Sequence, residues 1–167
     1  GLAIIVHPSN PVDSISLEQA QEIFCGTITN WKALGGPDAR IDIVSREEGS
    51  GTRKSFECLV LKEKALTTTA LFQDSNGTIR EAVATNPNAI GYLSIGFLDR
   101  RVKALKLNGV APTNENVIKG TYPLSRPIFF VYRDPPSPAV ESFVSFVVSP
   151  EGERIIAEKG LIPVQSK

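Results

Sequence analysis

The segment of this sequence best suited to chemistry is SREEGSGTRKSFE, Ser45 to Glu57, which places opposite charges around a glycine-rich turn. A helical pattern follows the turn. Backbone N–H groups at a helix start have no partners inside the helix, and the macrodipole makes that end positive. Because glycines let a ligand approach those amides closely, the segment is typical of an anion site, and a tetrahedral oxyanion suits it.

Side chains around the turn add donors and fixed positive charge. Ser50 and Thr52 supply hydroxyl groups, and Arg46 and Arg53 supply guanidinium groups whose fork geometry suits oxyanions. The pattern also permits a second interpretation, in which the glycines form only a turn and an N-cap and the charges are solvated surface. A P-loop is excluded because the sequence lacks GxxxxGK[ST].

Glu48 is the unexpected member of this group, because a carboxylate repels an anion. Hydrogen phosphate carries a proton that an acceptor-only carboxylate can bind, whereas sulfate at neutral pH carries none. Sulfate would leave Glu48 unpaired beside a like charge, so this residue would favour phosphate over sulfate. Arg46, two residues away, is expected to hold Glu48 in its ionised form.

Strands and helices that alternate along the chain predict the α/β class. The predicted strands are LAIIVHP, RIDIVS, AIGYLSI, VKALKL and RPIFFVYR. The predicted helices are SLEQAQEIFCG with Ser16 as N-cap, the segment after the glycine-rich turn, TIREAVATNP, a turn near Asn114 to Lys119, and two helices separated by Ser149-Pro150. KALTTTALFQDSNG is expected to be a polar connection.

Composition limits the function classes. The chain has 167 residues and a formal net charge of zero, so it makes one domain or two small ones without a global basic field, and no nucleic-acid partner is expected. No apolar run is long enough to span a membrane. The sequence offers a single histidine and no obvious triad, so an enzyme ranks lowest among the hypotheses.

The two cysteines, Cys25 and Cys58, lack CxxC spacing, and the sequence contains a single histidine that could join them as a metal ligand. A metal site is therefore not expected, and no cofactor is implied. A disulfide between them and two buried thiols on packed helix faces both stay open.

The residues also resemble a specific family, the PstS-type phosphate-binding proteins of phosphate ABC transporters. The resemblance spans essentially the whole chain, and the glycine-rich loop and the NPNAIGY motif carry most of its specificity. The matching segments, in order, are HPSNPV, EIFCGTITNW, SREEGSGTRKSFE, AVATNPNAIGY, YPLSRPIFFVY and the carboxy-terminal SFVSFVVSPEGERIIAEKGLIPV.

The resemblance implies a role for each loop residue. Arg46 would bind phosphate and pair with Glu48, which would accept the ligand proton. Ser50, Gly51 and Thr52 would donate to the phosphate oxygens from backbone and hydroxyl groups. Arg53 would reach phosphate or support the loop. Some family members have Asp where this chain has Glu48.

The resemblance further implies a type II periplasmic-binding-protein fold, with a mixed sheet flanked by helices and a ligand cleft between two lobes. Residues 1–125 are expected to be the second lobe, and residues 126–167 the return strand and carboxy-terminal helices of an incomplete first lobe. The sequence lacks methionine, so Gly1 is not a translation start and the chain is expected to be a processed or excised piece. A second copy or an amino-terminal segment would complete the first lobe.

The implied function is extracytoplasmic binding of inorganic phosphate and its delivery to an ABC permease. The alternative is a sensor or scaffold domain of the same fold that binds another oxyanion. If first-lobe elements are missing, some of the aromatic residues near the carboxy terminus are expected to be exposed. They are Phe129, Phe130, Tyr132, Phe143 and Phe146.

Overall fold

The computed structural model describes residues 1–164, and the chain divides into two compact units, Gly1–Ser125 and Arg126–Lys167. The strands are β1 (Leu2–Val6), β2 (Ser14–Ile15), β3 (Asp42–Arg46), β4 (Leu71–Gln73), β5 (Ala89–Ser94), β6 (Lys103–Ala104) and β7 (Lys106–Leu107). The α-helices are α1 (Leu17–Phe24), α2 (Gly51–Phe56), α3 (Asn76–Ala84), α4 (Asn114–Ile118), α5 (Pro138–Val147) and α6 (Pro150–Glu158).

The first unit is built on a mixed five-stranded sheet in the order β4-β3-β5-β1-β6, with a small parallel sheet of β2 and β7. Strand β3 pairs in parallel with both β4 and β5, while β1 pairs antiparallel with β5 and β6. The carboxyl ends of β3, β4 and β5 therefore meet at one edge. Helices α2 and α3 begin there because they follow β3 and β4.

Strand β1 is buried on both faces, which explains its uninterrupted apolar sequence. Ile4 packs in the larger hydrophobic cluster, on the same face as Phe24 and Trp31. Ile5 packs in the second cluster with Ile79 of α3. Because side chains alternate between faces along a strand, this one segment anchors the helices on both sides of the sheet.

In the first unit, two segments differ from their predictions. The segment expected to be a polar connection contains β4, whose Leu71 and Phe72 are 59% and 50% exposed. An edge strand of three residues without an apolar alternation gives no strand signal in the sequence. The predicted strand VKALKL is split, because Lys103–Ala104 pairs with β1 and Lys106–Leu107 pairs with β2.

The helix after the glycine-rich turn continues from α2 into a π-helical turn, Glu57–Leu61. The side-chain amide of Gln21 donates to the carbonyl oxygens of Val60 and Leu61 at 3.1 and 2.9 Å, which satisfies two carbonyls at this helix end. Exposed Cys58 lies in the π turn.

Both alternatives offered for the cysteines are wrong. Cys25 and Cys58 are free thiols, so no disulfide joins them. Cys25 is half-buried at the end of α1, and Cys58 is exposed, so they are not two buried thiols either. The helical face that carries Cys58 points to solvent, while Val60 and Leu61 of the same turn provide the packing.

The second unit contains α5 and α6, as the sequence predicts. The strand predicted at residues 126–133 is not formed among the described residues, because a β-rich composition makes a strand only where a partner supplies the ladder hydrogen bonds. Some of the five aromatic residues near the carboxy terminus were expected to be exposed, and all five are 46–76% exposed. Within residues 1–164, no helix is long and apolar enough to cross a membrane.

Candidate functional site

The glycine-rich turn connects the carboxyl end of β3 to the start of α2. Gly49 adopts a φ of +87°, a left-handed conformation that side chains disfavour, and this lets the chain reverse directly after the strand. Ser50 is the N-cap of α2 and is buried, and its hydroxyl oxygen accepts a hydrogen bond from the Arg53 amide at 3.2 Å. Gly51 and Thr52 are the first two helical residues.

Arg46 is the charged group that the turn surrounds. Only 11% of its side chain is exposed. Its Nε and Nη2 atoms donate to the two carboxylate oxygens of Glu47 at 2.8 and 3.0 Å, and Nη2 also donates to the Asp74 carbonyl oxygen at 3.2 Å. The hydrogen bonds from Arg46 hold the pKa of the Glu47 carboxyl below its usual value.

The predicted pairing of Arg46 with Glu48 is therefore wrong, because the partner is Glu47. The Glu47 amide donates to the Gln73 carbonyl oxygen at 3.1 Å and so extends the β3–β4 pairing by one residue. Glu47 is thereby held beside Arg46, whereas Glu48 already lies in the turn. Glu48 is exposed, and its carboxylate makes no hydrogen bond or ion pair with residues 1–164.

Arg53 is tied into the framework of the turn. Its Nε donates to Glu57 Oε1 at 2.7 Å, its Nη1 donates to the Arg46 carbonyl oxygen at 3.2 Å, and its guanidinium lies 5.2 Å from the centre of the Phe72 ring. Of the two roles left open for Arg53, these contacts favour support of the loop. The Thr52 side chain is half-buried on the same helical turn.

Two supporting residues were not identified from the sequence. Tyr92 of β5 is fully buried, and its hydroxyl lies 2.8 Å from Ser45 Oγ and accepts a 3.4 Å hydrogen bond from the Arg46 amide. Asp74 holds Arg46 through its carbonyl oxygen and accepts from the Thr78 hydroxyl at 3.1 Å through its side chain. The sequence signals for Tyr92 were its hydroxyl within the largely apolar strand AIGYLS and its place at the end of the NPNAIGY motif.

Residues 46–53 thus carry a buried guanidinium, a helix start with hydroxyl side chains, and an exposed carboxylate within one short segment. The guanidinium and the helix start attract an oxyanion, and the carboxylate of Glu48 can accept a proton from one. Within the described residues, no group of histidines, cysteines and carboxylates could hold a metal ion.

A separate cavity of about 350 Å³ lies at the amino end of β3, at the opposite end of the strand from Arg46. Its lining residues are Gly26, Thr29, Asn30, Arg40, Ile41, Ile43, Thr67 and Thr69. Arg40 is exposed there, two residues before β3, so it provides a control arginine away from the glycine-rich turn.

A family model for the PBP superfamily domain matches residues 1–151. The chain belongs to the PBP superfamily. This membership and the mixed sheet flanked by helices confirm the predicted fold class, and the relatives confirm the resemblance to PstS-type proteins.

The phosphate-binding protein PstS of Bacillus subtilis is 35% identical over 166 residues, which cover 98% of this chain and 55% of that protein. PstS of Borreliella burgdorferi is 28% identical, and the match covers 63% of its length. The chain thus spans somewhat more than half of these curated relatives.

Solved structures of phosphate-binding proteins are also similar to this chain. A putative phosphate ABC transporter substrate-binding protein with bound phosphate from Clostridium perfringens superposes with a TM-score of 0.88 at 43% identity, over 98% of this chain and 68% of that one. An ABC-type phosphate transport receptor from Vibrio cholerae gives a TM-score of 0.89 at 41% identity, over 97% and 68%.

Proposed function

We propose that this chain binds inorganic phosphate, as hydrogen phosphate, at the turn formed by residues 46–53. The observation that carries the proposal is the buried guanidinium of Arg46, which Glu47 and the Asp74 carbonyl hold directly before a turn that carries the exposed Glu48 and leads into α2. Relatives named for phosphate binding, and a related structure that contains phosphate, support the choice of oxyanion.

Each loop residue has a role in this proposal. Arg46 supplies the positive charge, and Ser50, Gly51 and Thr52 donate to the phosphate oxygens through amides and hydroxyls. The Ser50 oxygen accepts from the Arg53 amide, so its own proton remains available for donation.

Glu48 accepts the ligand proton and thereby disfavours sulfate. Arg53 belongs to the site mainly because it supports the loop, through its hydrogen bonds to Glu57 and to the Arg46 carbonyl oxygen. Binding is the whole of the proposed activity, with no catalytic step.

At the level of the whole protein, we propose that residues 1–125 are the second lobe of a binding protein and residues 126–167 belong to its first lobe. The division of the chain after Ser125 supports this boundary. The complete cleft would bind phosphate outside the cytoplasm and deliver it to an ABC permease. A further amino-terminal segment or a second copy would complete the first lobe.

The experiment that tests phosphate binding is calorimetric titration of the 167-residue chain with phosphate and with sulfate at neutral pH. Because the turn acts here without a completed cleft, the wild-type chain should bind phosphate weakly, and it should bind sulfate more weakly still. Removing a charge-assisted contact in Arg46→Ala should weaken phosphate binding by about tenfold to a hundredfold. Arg40→Ala removes an equal charge at the far end of β3 and should bind as the wild type does.

Three results would contradict the proposal: a wild-type chain that does not bind phosphate, equal binding of both anions, or equal losses in Arg46→Ala and Arg40→Ala. Equal binding of both anions would favour a sensor or scaffold domain for another oxyanion.

A further inference from the structure

Three of the five N–H groups of Arg46 have partners in the protein. Two of them, on Nε and Nη2, donate to Glu47, and the second N–H of Nη2 donates to the Asp74 carbonyl oxygen. The two N–H groups on Nη1 make no hydrogen bond to the described residues. Because a guanidinium is planar and rigid, fixing one edge also fixes the direction of the remaining nitrogen.

We propose that Glu47 is a positioning residue, which holds Arg46 so that Nη1 alone faces the ligand. The inference rests on the proposed function of the turn. It assigns the two adjacent glutamates separate roles: Glu47 orients the arginine, and Glu48 accepts the proton of the ligand.

The Arg46–Glu47 pair is more tightly constrained than an ordinary surface ion pair. Successive side chains on a regular strand point to opposite faces, so neighbours do not normally pair. Here the pairing becomes possible where β3 ends, and it is bidentate, with the arginine almost entirely buried. Bidentate pairs of this kind add geometric specificity to their energy. The Asp74 carbonyl restricts the guanidinium from a second direction.

A different mechanism would give the opposite result. The Nε–Nη2 edge is the part of an arginine that binds an oxyanion through two parallel hydrogen bonds, and Glu47 occupies that edge. If Glu47 were a competitor that phosphate displaces, removal of its charge would tighten phosphate binding. If Glu47 is a positioning residue, the same change would weaken it.

The test uses Glu47→Gln, which keeps the size of the side chain but cannot accept from both arginine nitrogens, because its amide nitrogen is a donor. Phosphate affinity should fall by about fivefold to tenfold, the net contribution of one well-made hydrogen bond. Glu47→Asp, which retains the charge on a shorter chain, should also weaken binding. Glu63→Gln removes an exposed charge beyond the π turn and should have no effect.

The solvent-exchange rate of the Arg46 Nε–H proton, followed by NMR, separates loss of the pairing from a general loss of stability. The proton should be protected from solvent exchange in the wild type and in Glu63→Gln, and should exchange faster in Glu47→Gln, where one of the two hydrogen bonds is lost. Thermal unfolding of each variant checks that the chain remains folded.

The inference is overturned if Glu47→Gln binds phosphate as tightly as the wild type or more tightly, while Arg46→Ala weakens binding. If the wild type does not bind phosphate, or Arg46→Ala has no effect, the proposed function itself fails, and this inference fails with it. The two failures are therefore distinguishable in one set of titrations.

Discussion

The hydroxyl of Tyr92 lies 2.8 Å from Ser45 Oγ, deep in the sheet and directly before the glycine-rich turn. The same hydroxyl accepts a hydrogen bond from the Arg46 amide, and the Tyr92 ring stacks on Phe56 of α2 with 3.9 Å between ring centres. One residue of β5 thus fixes both the strand that enters the turn and the helix that leaves it.

Replacement of Tyr92 by Phe should destabilise the chain by about 1–3 kcal/mol, because it leaves the buried Ser45 hydroxyl and Arg46 amide without their partner. Urea unfolding monitored by circular dichroism measures the change. Tyr132→Phe alters a half-exposed tyrosine in the second unit and is the matched control. Equal unfolding midpoints for the two variants would show that the Tyr92 hydroxyl does not anchor the turn.

Stability should fall in alkaline solution because of buried tyrosines. Burial raises the pKa of Tyr92 and of Tyr122. A phenol that holds its proton more tightly in the folded state gives its full stabilisation below the unfolded pKa of about 10 and loses it as the pH rises further.

The Tyr122 hydroxyl is buried and has no hydrogen-bond partner within the described residues. Tyr122→Phe should therefore cost little stability at neutral pH and should reduce the slope of unfolding free energy against pH above about pH 10. Urea unfolding at a series of pH values gives both slopes. Identical slopes for the variant and the wild type would be inconsistent with a raised pKa at Tyr122.

The cap of α2 can be tested separately from ligand binding. Ser50→Ala removes the oxygen that accepts from the Arg53 amide and should cost about 1 kcal/mol of unfolding free energy, whereas Ser50→Gly should cost only a few tenths. Both variants lose the hydroxyl donor and should bind phosphate more weakly. If Ser50→Ala is as stable as the wild type, the cap contributes nothing to the turn.

Selectivity should depend on Glu48. Glu48→Gln replaces an acceptor with a group that can also donate, so a sulfate oxygen would no longer face a like charge without a partner. Sulfate should then bind measurably, and the ratio of phosphate to sulfate affinity should fall by about tenfold or more, the effect of one unfavourable polar contact. Competition titrations of both anions measure this ratio. An unchanged ratio would remove Glu48 from the account of selectivity.

The parts of the fold that could be predicted are those with a strong local signal. The apolar run of β1, the Ser16 cap of α1 and the split between α5 and α6 at Ser149-Pro150 all follow from patterns within a few residues. The glycine-rich turn between β3 and α2 was predictable for the same reason.

The remaining features depend on contacts between segments distant in sequence. The pairing of Arg46 with Glu47 depends on where β3 ends and on the neighbouring carbonyl of Asp74, neither of which the spacing of the loop reveals. Likewise, β4 becomes a strand because β3 offers it a partner, whereas residues 126–133 have strong β-forming side chains without a ladder among the described residues.

Phosphate binding at the turn is tested most directly by titrating the 15N-labelled chain with phosphate and following it by NMR. We predict that the amide resonances of Ser50, Gly51 and Thr52 and the side-chain resonance of Arg46 move together along one binding curve, and that sulfate does not move them. Resonances that do not respond to phosphate, or that respond only around Arg40 at the far end of β3, would contradict it.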